Sequence, residues 1–417
     1  MGHYPWTAVE RAMKVQEVIL KATGGEIHWF QAAEILGVSA RTMRRWRRRY
    51  ELGGYDGLFD RRTRRPSPRR VPLKLVAQVL RLYRERYFDF NVRHFHERMG
   101  QEHGISLSYT WVKACLQAAG LVARRGRHQP HRKRRPRRPL PGMLLHMDGS
   151  PHGWIPGLKG LQTLLVIMDD ATSQVYQARL VPQETSQEVM AMLQEVVQHQ
   201  GLFCSLYTDR ASHFITTRQG KGPHRAQQAS GPTQVERALR ELGIQLITAL
   251  SPQARGRIER LFGTWQGRLP QELRLRGIGD YQAANRFLKR IWVPYHNRTW
   301  TVAPEQPGSA FVLCHRPDLD RIFAIQQERT VAQDNTVQYG RLILQIEPNH
   351  LRLNFARCRV TVYQHLDKTI SIGFGPHTLG RYNAKGEHLK HKGDSHLSLN
   401  TKNRTDHLLQ KADIFTC

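Results

Sequence analysis

The sequence predicts a chain in three parts: helical modules first, an α/β core in the middle and a small β-rich domain towards the C-terminus. Three observations lead there. Up to about residue 122 the apolar residues recur with a helical period. Between 143 and 275 short apolar runs alternate with helical periods, and between about 329 and 382 β-branched runs recur. A length of 417 residues suits roughly three modules.

The charge balance narrows the choice of partner. Sixty-four Lys and Arg face 34 Asp and Glu, a net +30, and residues 1–141 alone hold 31 basic and 11 acidic side chains. Such an excess repels itself unless a polyanion neutralises it, so nucleic acid is the expected partner. A membrane surface fits less well, because the basic residues do not border a long apolar helical face. No apolar run nears the roughly 18 residues of a membrane span, and the start lacks a signal-peptide pattern. Cysteines at 115, 204, 314, 358 and 417 include no Cys-x-x-Cys, which argues against a disulfide scaffold or cysteine zinc module and suits a reducing cytoplasm.

Within the first part, Val9, Met13, Val18, Ile19 and Leu20 give residues 7–22 an amphipathic helix that stops at Gly24-Gly25. Residues 30–46 then carry a small Ala33, a Gly37 suited to a turn, and Ser39 as a helix cap; Ile35, Val38, Met43 and Trp46 are the expected core. Arg41, Arg44, Arg45, Arg47, Arg48 and Arg49 load the second helix, at about 39–50. This resembles a helix-turn-helix whose recognition helix enters the major groove, with Arg41, Arg44, Arg45 and Arg48 as DNA contacts; the alternative is a helix pair with a solvated basic face. Arginines at 61–70 around Pro66 and Pro68 read as an extended connection. Helices at 72–86, 89–103 and 109–119, the last capped by Ser108, make a second helix-turn-helix-like unit. His94, His96 and His103 are expected at the surface or at caps, since Cys115 is the one thiol near them. From Arg124 to Arg138 nine of fifteen residues are basic, with Pro130 and Pro136 breaking any helix: a tether, or a sequence-independent contact to nucleic acid backbone.

At Met143 the texture changes. Apolar runs at 143–147, 161–168, 173–181, 203–207 and 244–247 read as strands, and helical periods cover 184–198, 233–242 and about 256–275. Three strands followed by helix, strand, helix, strand and helix is the order of a ribonuclease-H-like domain. Asp148 and Asp209 close two of its strands and Glu259 lies on the last helix. Phosphodiester cleavage or transfer is well served by two hard divalent cations about 4 Å apart, and carboxylate oxygens are their preferred ligands. Asp148, Asp209 and Glu259 could form such a set. Asp169 and Asp170, ending the second strand, are rivals for the metal or turn-forming residues. His213 is an accessory candidate that orients water, contacts phosphate or packs at a helix start. Arg255, Arg257 and Arg260 flank Glu259 and are expected against the DNA backbone, while Trp265 is expected in the core.

Three segments carry a family resemblance: His146-Met147-Asp148-Gly149, Thr208-Asp209-Arg210-Ala211-Ser212-His213-Phe214, and Ser251-Pro252-Gln253-Ala254-Arg255-Gly256-Arg257-Ile258-Glu259-Arg260. They are similar to the integrase-core (DDE) transposases of bacterial insertion sequences, of the ISNCY-like group with an N-terminal helix-turn-helix, over about residues 28–300. The resemblance implies that Asp148, Asp209 and Glu259 are the catalytic, metal-binding triad, with two Mg²⁺ or Mn²⁺ ions. Two departures are visible: Arg210-Ala211 replaces the usual Asn-Gly, and 50 residues separate Asp209 from Glu259, a longer gap than in retroviral-type members. The excess falls on a Gly- and Gln-rich stretch, 219–233, that reads as a loop insertion.

Residues 281–297 read as a helix, and Tyr295-His296-Asn297-Arg298 resembles the segment after the core in these transposases. Runs at 342–346, 359–363 and 369–372 suggest a small β-barrel, and the chain from 383 onward is polar and expected to be disordered. The resulting division is 1–60 helix-turn-helix, 71–122 second helical domain, 123–140 basic linker, 141–278 ribonuclease-H-like core, 279–328 helical extension, 329–385 β-barrel-like domain and 386–417 polar tail. The implied function is a transposase that binds terminal inverted repeats and joins them to target DNA, acting as a dimer or higher assembly in a bacterial cytoplasm, at the nucleoid, without membrane contact. A ribonuclease-H-fold nuclease without strand transfer and a DNA-binding repressor with an inactive core are the alternatives.

Overall fold

Small side chains and deliberate caps shape the N-terminal helices. In the computed structural model, α1 (Trp6–Thr23), α2 (Trp29–Ile35) and α3 (Ala40–Gly53) share a core of Val15, Val18, Ile19, Ala22, Ala32, Ala33 and Met43. Ala32 and Ala33 let the helices cross closely. Gly37, at φ +62°, makes the turn a side chain would resist, and the Ser39 hydroxyl accepts the Thr42 amide at 3.3 Å to start α3. Val38 and Trp46 pack against this core as expected, but Ile35 does not: it is 53% exposed, because the two alanines before it fill the crossing. The structure describes residues 4–60, 70–124, 135–209, 211–214, 231–248, 256–349 and 351–389, and the chain divides into two units, 1–81 and 82–417. The arginines at 61–69, Arg210, most of the 219–233 insertion, Ser251 to Arg255 and the tail from 390 lie outside the described residues.

After α4 (Leu73–Glu85), α5 (Val92–His103) begins three residues later than expected. Asn91 is its cap, accepting the His94 amide at 2.9 Å, and Tyr87 and Phe90 before it are buried. Gly104 in the left-handed region ends α5, and Ser108 caps α6 (Tyr109–Ala118).

The core is a five-stranded sheet of β1 (Leu145–His152), β2 (Gln162–Asp169), β3 (Val175–Val181), β4 (Ser205–Thr208) and β5 (Gln245–Thr248), in the order β3-β2-β1-β4-β5. The first three strands are antiparallel, and β4 and β5 add in parallel, the ribonuclease-H-like arrangement expected from the order of elements. Alternation along the strands feeds two cores. Leu145, Met147, Leu165, Ile167 and Leu206 pack on α7 (Ser186–Gln200) and α8 (Gln234–Glu241). Leu164, Val166 and Met168 pack on α9 (Gly256–Gln266), α10 (Leu269–Leu275) and α11 (Tyr281–Phe287).

Two expected helices are interrupted. The 256–275 helix breaks at Gly267-Arg268, with Pro270 reopening it as α10. The 281–297 helix contains a π-helical turn, Leu288–Trp292, before α12 (Val293–Trp300). Pro294 lacks the amide that would continue the regular ladder there. Asn285 and Asn297 bracket β3, each bonding both the amide and the carbonyl of one residue, Leu180 and Val175 respectively, so an exposed edge becomes a satisfied one.

The C-terminal domain follows a short α13 (Leu319–Ile322). β6 (Ile325–Thr330), β9 (Arg359–Gln364), β10 (Ile370–Phe374) and β11 (His377–Tyr382) form an open antiparallel sheet, while β7 (Thr336–Tyr339) and β8 (Leu342–Gln345) pair with each other. The expected barrel is therefore not closed among the described residues. The hairpin lies over the sheet, sharing the core of Val337, Leu344, Val360, Val362 and Ile372, instead of joining β6 to β11. β6 also starts at Ile325, inside the span expected to be helical.

Candidate active site

Strand register relates the positions of Asp148, on β1, and Asp209, just after β4. β1 and β4 pair in parallel with Leu145 opposite Leu206 and His146 opposite Tyr207, and the same register carried forward sets Asp148 level with Asp209, the residue after β4. Neighbouring strands lie about 4.8 Å apart, so equal height means neighbouring side chains on one face. That face is the one α9 covers: Asp148 stands opposite Val166, which packs in the same core as Ile258, Leu261, Phe262 and Trp265 of α9. Asp148 is 7% exposed.

Glu259 lies on α9, and two contacts fix how that helix is turned. Gln266, seven residues on and so nearly two full turns, shares its flank; the Gln266 Nε2 donates to Ser150 Oγ at 3.2 Å, and Ser150 is two residues beyond Asp148 on β1. Arg257, on the opposite flank, reaches Asp170 at the end of β2. The Glu259 flank is thereby directed towards β1 and its neighbour β4, though the side chain is exposed. Among the described residues no group of three or more His, Cys, Asp or Glu is arranged to hold a metal ion. Extended by two residues, the register thus puts Asp148 and Asp209 at one height on adjacent strands with Glu259 on the covering helix, and the three are not gathered into a closed ligand set among the described residues.

Beside Asp209 stand two further groups. Asp209 Oδ1 accepts the Ala211 amide at 2.9 Å, which shapes the turn after β4. His213 is half-buried. Burial lowers its pKa and the nearby charge of Asp209 opposes that, and its Nε2 lies 3.6 Å from Glu184 Oε1. Glu184, between β3 and α7, was not found by sequence reasoning. Its carboxylate lies where a β-carbon on Gly149 would come within 2.7 Å of Oε2, so glycine after Asp148 is what admits it. Nothing local to Glu184 signals this; a glycine inside a strand was the only mark.

The rival acids have other work. Asp169 holds the turn after β2, accepting the Thr172 amide and hydroxyl at 2.8 Å each and the Gly142 amide at 3.0 Å. Asp170, fully buried, accepts from His146 Nε2 at 2.7 Å, from Arg135 Nη2 at 2.6 Å, from Arg257 Nη1 and from the Arg138 amide at 2.9 Å. Burial alone would raise its pKa; the His146 and Arg138 bonds and the charges of His146 and Arg257 outweigh that and hold it well below the usual range. Arg137 donates to the Asp170 and Ala171 carbonyls and to Ser173 Oγ. Arg257, expected on DNA, is therefore engaged inside the protein, and the end of the basic segment, expected to be a tether or a contact to nucleic acid backbone, is fastened to the core at residues 135–138. Arg260 is exposed on α9, and Arg255 lies outside the described residues. Trp265 is buried as expected, its Nε1 donating to His296 Nδ1 at 3.0 Å.

A second buried acid joins the second helical domain to the core. Glu272 of α10 accepts from His94 Nε2 at 2.6 Å and from Arg98 and Arg276. Arg268 pairs with Glu97 and Arg274 with Asp89. His94 is thus an internal residue, not the surface or capping group expected. By contrast Arg41, Arg44, Arg45 and Arg48 on α3 all remain exposed, and Arg47 pairs with Glu51 and lies over Trp29.

Residues 16–67 match a helix-turn-helix domain family and residues 42–116 a homeodomain-like domain family. The putative transposase y4bF of Sinorhizobium fredii (strain NBRC 101917 / NGR234) is 29% identical over 377 residues, 89% of this chain and 80% of that protein. The transposase for insertion sequence IS1202 of Streptococcus pneumoniae is 29% identical over 290 residues, 61% of each chain. Solved structures that match include a simian T-cell lymphotropic virus intasome in complex with PP2A regulatory subunit B56 gamma (19% identity, TM-score 0.31, 57% of this chain and 75% of that one). The HTLV-2 integrase catalytic core domain in complex with magnesium also matches (18% identity, TM-score 0.25, 36% and 89%).

Proposed function

Because the chain is a relative of insertion-sequence transposases, we propose that it is a DNA transposase whose helical modules bind the terminal inverted repeats of its element and whose core cuts and joins DNA strands at Asp148, Asp209 and Glu259. The observation that supports this reading is the register of β1 and β4, Leu145 opposite Leu206 and His146 opposite Tyr207, which, extended by two residues, would put Asp148 level with Asp209 on the face covered by the helix of Glu259. Three carboxylates are a donor set that suits Mg²⁺ or Mn²⁺, and Asp148, Asp209 and Glu259 would hold two such ions. Bound there, the metal supplies activation of the attacking oxygen and stabilisation of the leaving one.

The chain's own groups do the rest. α3 offers exposed guanidinium groups for phosphates and base edges, and Arg260 a further one beside Glu259. His213, whose pKa burial lowers against the opposing charge of Asp209, can orient, or accept a proton from, the water that frees a 3′-hydroxyl at the element end and the hydroxyl that then attacks target DNA. Two ends must be processed together, so the working form is a dimer or larger assembly of this chain on DNA. No described helix is long and apolar enough to cross a membrane.

The test is a strand-transfer assay with purified protein, duplexes of the element's own ends, and Mg²⁺ or Mn²⁺. Asp148→Asn and Glu259→Gln are expected to lower end cleavage and joining by more than about a hundredfold, beyond what loss of a supporting residue costs, while end binding persists. Cleavage without joining would favour a nuclease instead, and full activity in either variant would reject the site.

A further inference from the structure

Asp170 belongs to no reacting set, yet it is the point where three separate stretches of the molecule meet. Among the described residues its carboxylate takes four hydrogen bonds: from His146 on β1, from Arg257 on α9, and from Arg135 and the Arg138 amide on the segment that leads into the core from the second helical domain. The spacing is specific. His146 precedes Asp148 by two residues and so shares its face of β1. Arg257 precedes Glu259 by two residues in the first turn of α9. One buried carboxylate thus grips two of the three elements that bring in candidate metal ligands, β1 and α9, each within two residues of its ligand. Its neighbour Asp169 already satisfies the turn after β2, so the turn does not account for Asp170.

Energetics point the same way. A buried charge with several partners is often no more stable than an apolar replacement, and its better-attested use is to specify one arrangement among several. Here the arrangement in question is the position of α9 along β1. Gln266 and Ser150 tie the far end of the helix, while Arg257 and Asp170 tie the near end beside Glu259. Arg257 Nη2 also donates to the Arg135 carbonyl at 2.5 Å, so the entering segment closes over the same joint.

We infer that Asp170 is a positioning residue for the proposed active site: it sets Glu259 against Asp148 and makes that alignment depend on residues 135–138 being docked. This rests on the reading of Asp148, Asp209 and Glu259 as metal ligands. Asp170→Asn keeps the shape and removes the charge; Arg135→Gln loosens the same joint from outside the core.

The experiment measures, for the full chain and both variants, Mn²⁺ binding by titration calorimetry, end-DNA affinity, kcat and KM for strand transfer, and the thermal midpoint. Asp170→Asn is expected to weaken Mn²⁺ binding and lower kcat by about 10- to 100-fold each, the range for residues that orient metal ligands, with KM for DNA within about twofold. Arg135→Gln should shift both in the same direction by less, and Asp170→Glu should restore part of each. Should Asp170→Asn fail to fold, Arg135→Gln decides alone. Variants that lose thermal stability but keep wild-type Mn²⁺ affinity and kcat would overturn the inference while leaving the site intact. A wild-type chain that binds no Mn²⁺ would overturn the site and the inference together.

Discussion

Two arginine-rich stretches that look alike in the sequence are used in opposite ways. On α3, Arg41, Arg44, Arg45 and Arg48 are exposed along a helix whose core side is held by Met43 and Trp46. At 135–138 and on α9, Arg135, Arg137 and Arg257 converge on Asp170, and on α5 and α10, Arg98 and Arg276 converge on Glu272. Both buried acids also take the Nε2 of a buried histidine, His146 or His94, whose Nδ1 has no hydrogen-bond partner among the described residues. The difference teaches that local charge density does not say where a guanidinium goes. A buried carboxylate far away in sequence decides it, by making the internal partner worth more than water or phosphate.

That contrast can be broken or sharpened by substitution. The largest effect belongs to Glu272→Ala, which leaves His94, Arg98 and Arg276 facing a vacated site; removing one member of a buried charged set costs about 3–5 kcal/mol. Urea unfolding would read it, and a loss below about 1 kcal/mol would show the joint to be ornamental.

Acid offers a second approach to the same group. Burial alone would raise the Glu272 pKa, but the His94 bond and the charge of Arg98 draw it down to about 2. A folded pKa below the unfolded 4.5 contributes stability that is present above pH 4.5 and lost as pH falls towards 2. The unfolding free energy should drop across that window, and drop less steeply in Glu272→Gln; equal slopes would contradict the pairing.

Next comes Arg137→Ala, which removes charge-assisted bonds to two carbonyls and a hydroxyl and should cost about 1–3 kcal/mol. It should leave the salt dependence of DNA binding unchanged. The smallest effect on stability, within about 0.5 kcal/mol, is expected for Arg44→Ala or Arg48→Ala on α3. Each should instead lower the slope of log affinity against log salt by about one. If Arg137 moved the salt slope and Arg44 moved the melting temperature, the two stretches would have been assigned the wrong way round.

Much of the core is readable in advance because its strands are apolar runs, two of them bounded by Asp169 and Asp209, and because Ser39, Ser108 and Gly37 mark helix boundaries with side chains suited to little else. The order of strands and helices then leaves few ways to pair them. What escaped depended on partners distant in sequence. Ile35 has helical spacing but loses its core place to Ala32 and Ala33. The helix break at Gly267 coincides with Asn91 Nδ2 donating to the Gly267 carbonyl at 2.8 Å, a contact from the second helical domain that no local pattern announces. The C-terminal strands were visible as β-branched runs, yet which strand pairs with which, and so whether a barrel closes, is not written in any one of them. At the site, Asp209 follows the end of β4 as its apolar run indicates, whereas Asp148, expected to close β1, lies in mid-strand because β1 continues to His152, and Glu184 becomes visible only once Gly149 is seen to make room for it.

The central claim is that Asp148, Asp209 and Glu259 meet around divalent metal, and iron-directed cleavage tests it most directly. Fe²⁺ substituted for Mg²⁺ in the protein–DNA complex, with ascorbate and peroxide, generates oxidant at the metal and cuts the polypeptide nearby. Cuts are expected in three segments, around residues 148, 209 and 259, suppressed together by excess Mg²⁺ and lost together in Asp148→Asn. Cuts confined to one segment, or placed elsewhere and indifferent to Mg²⁺, would contradict it.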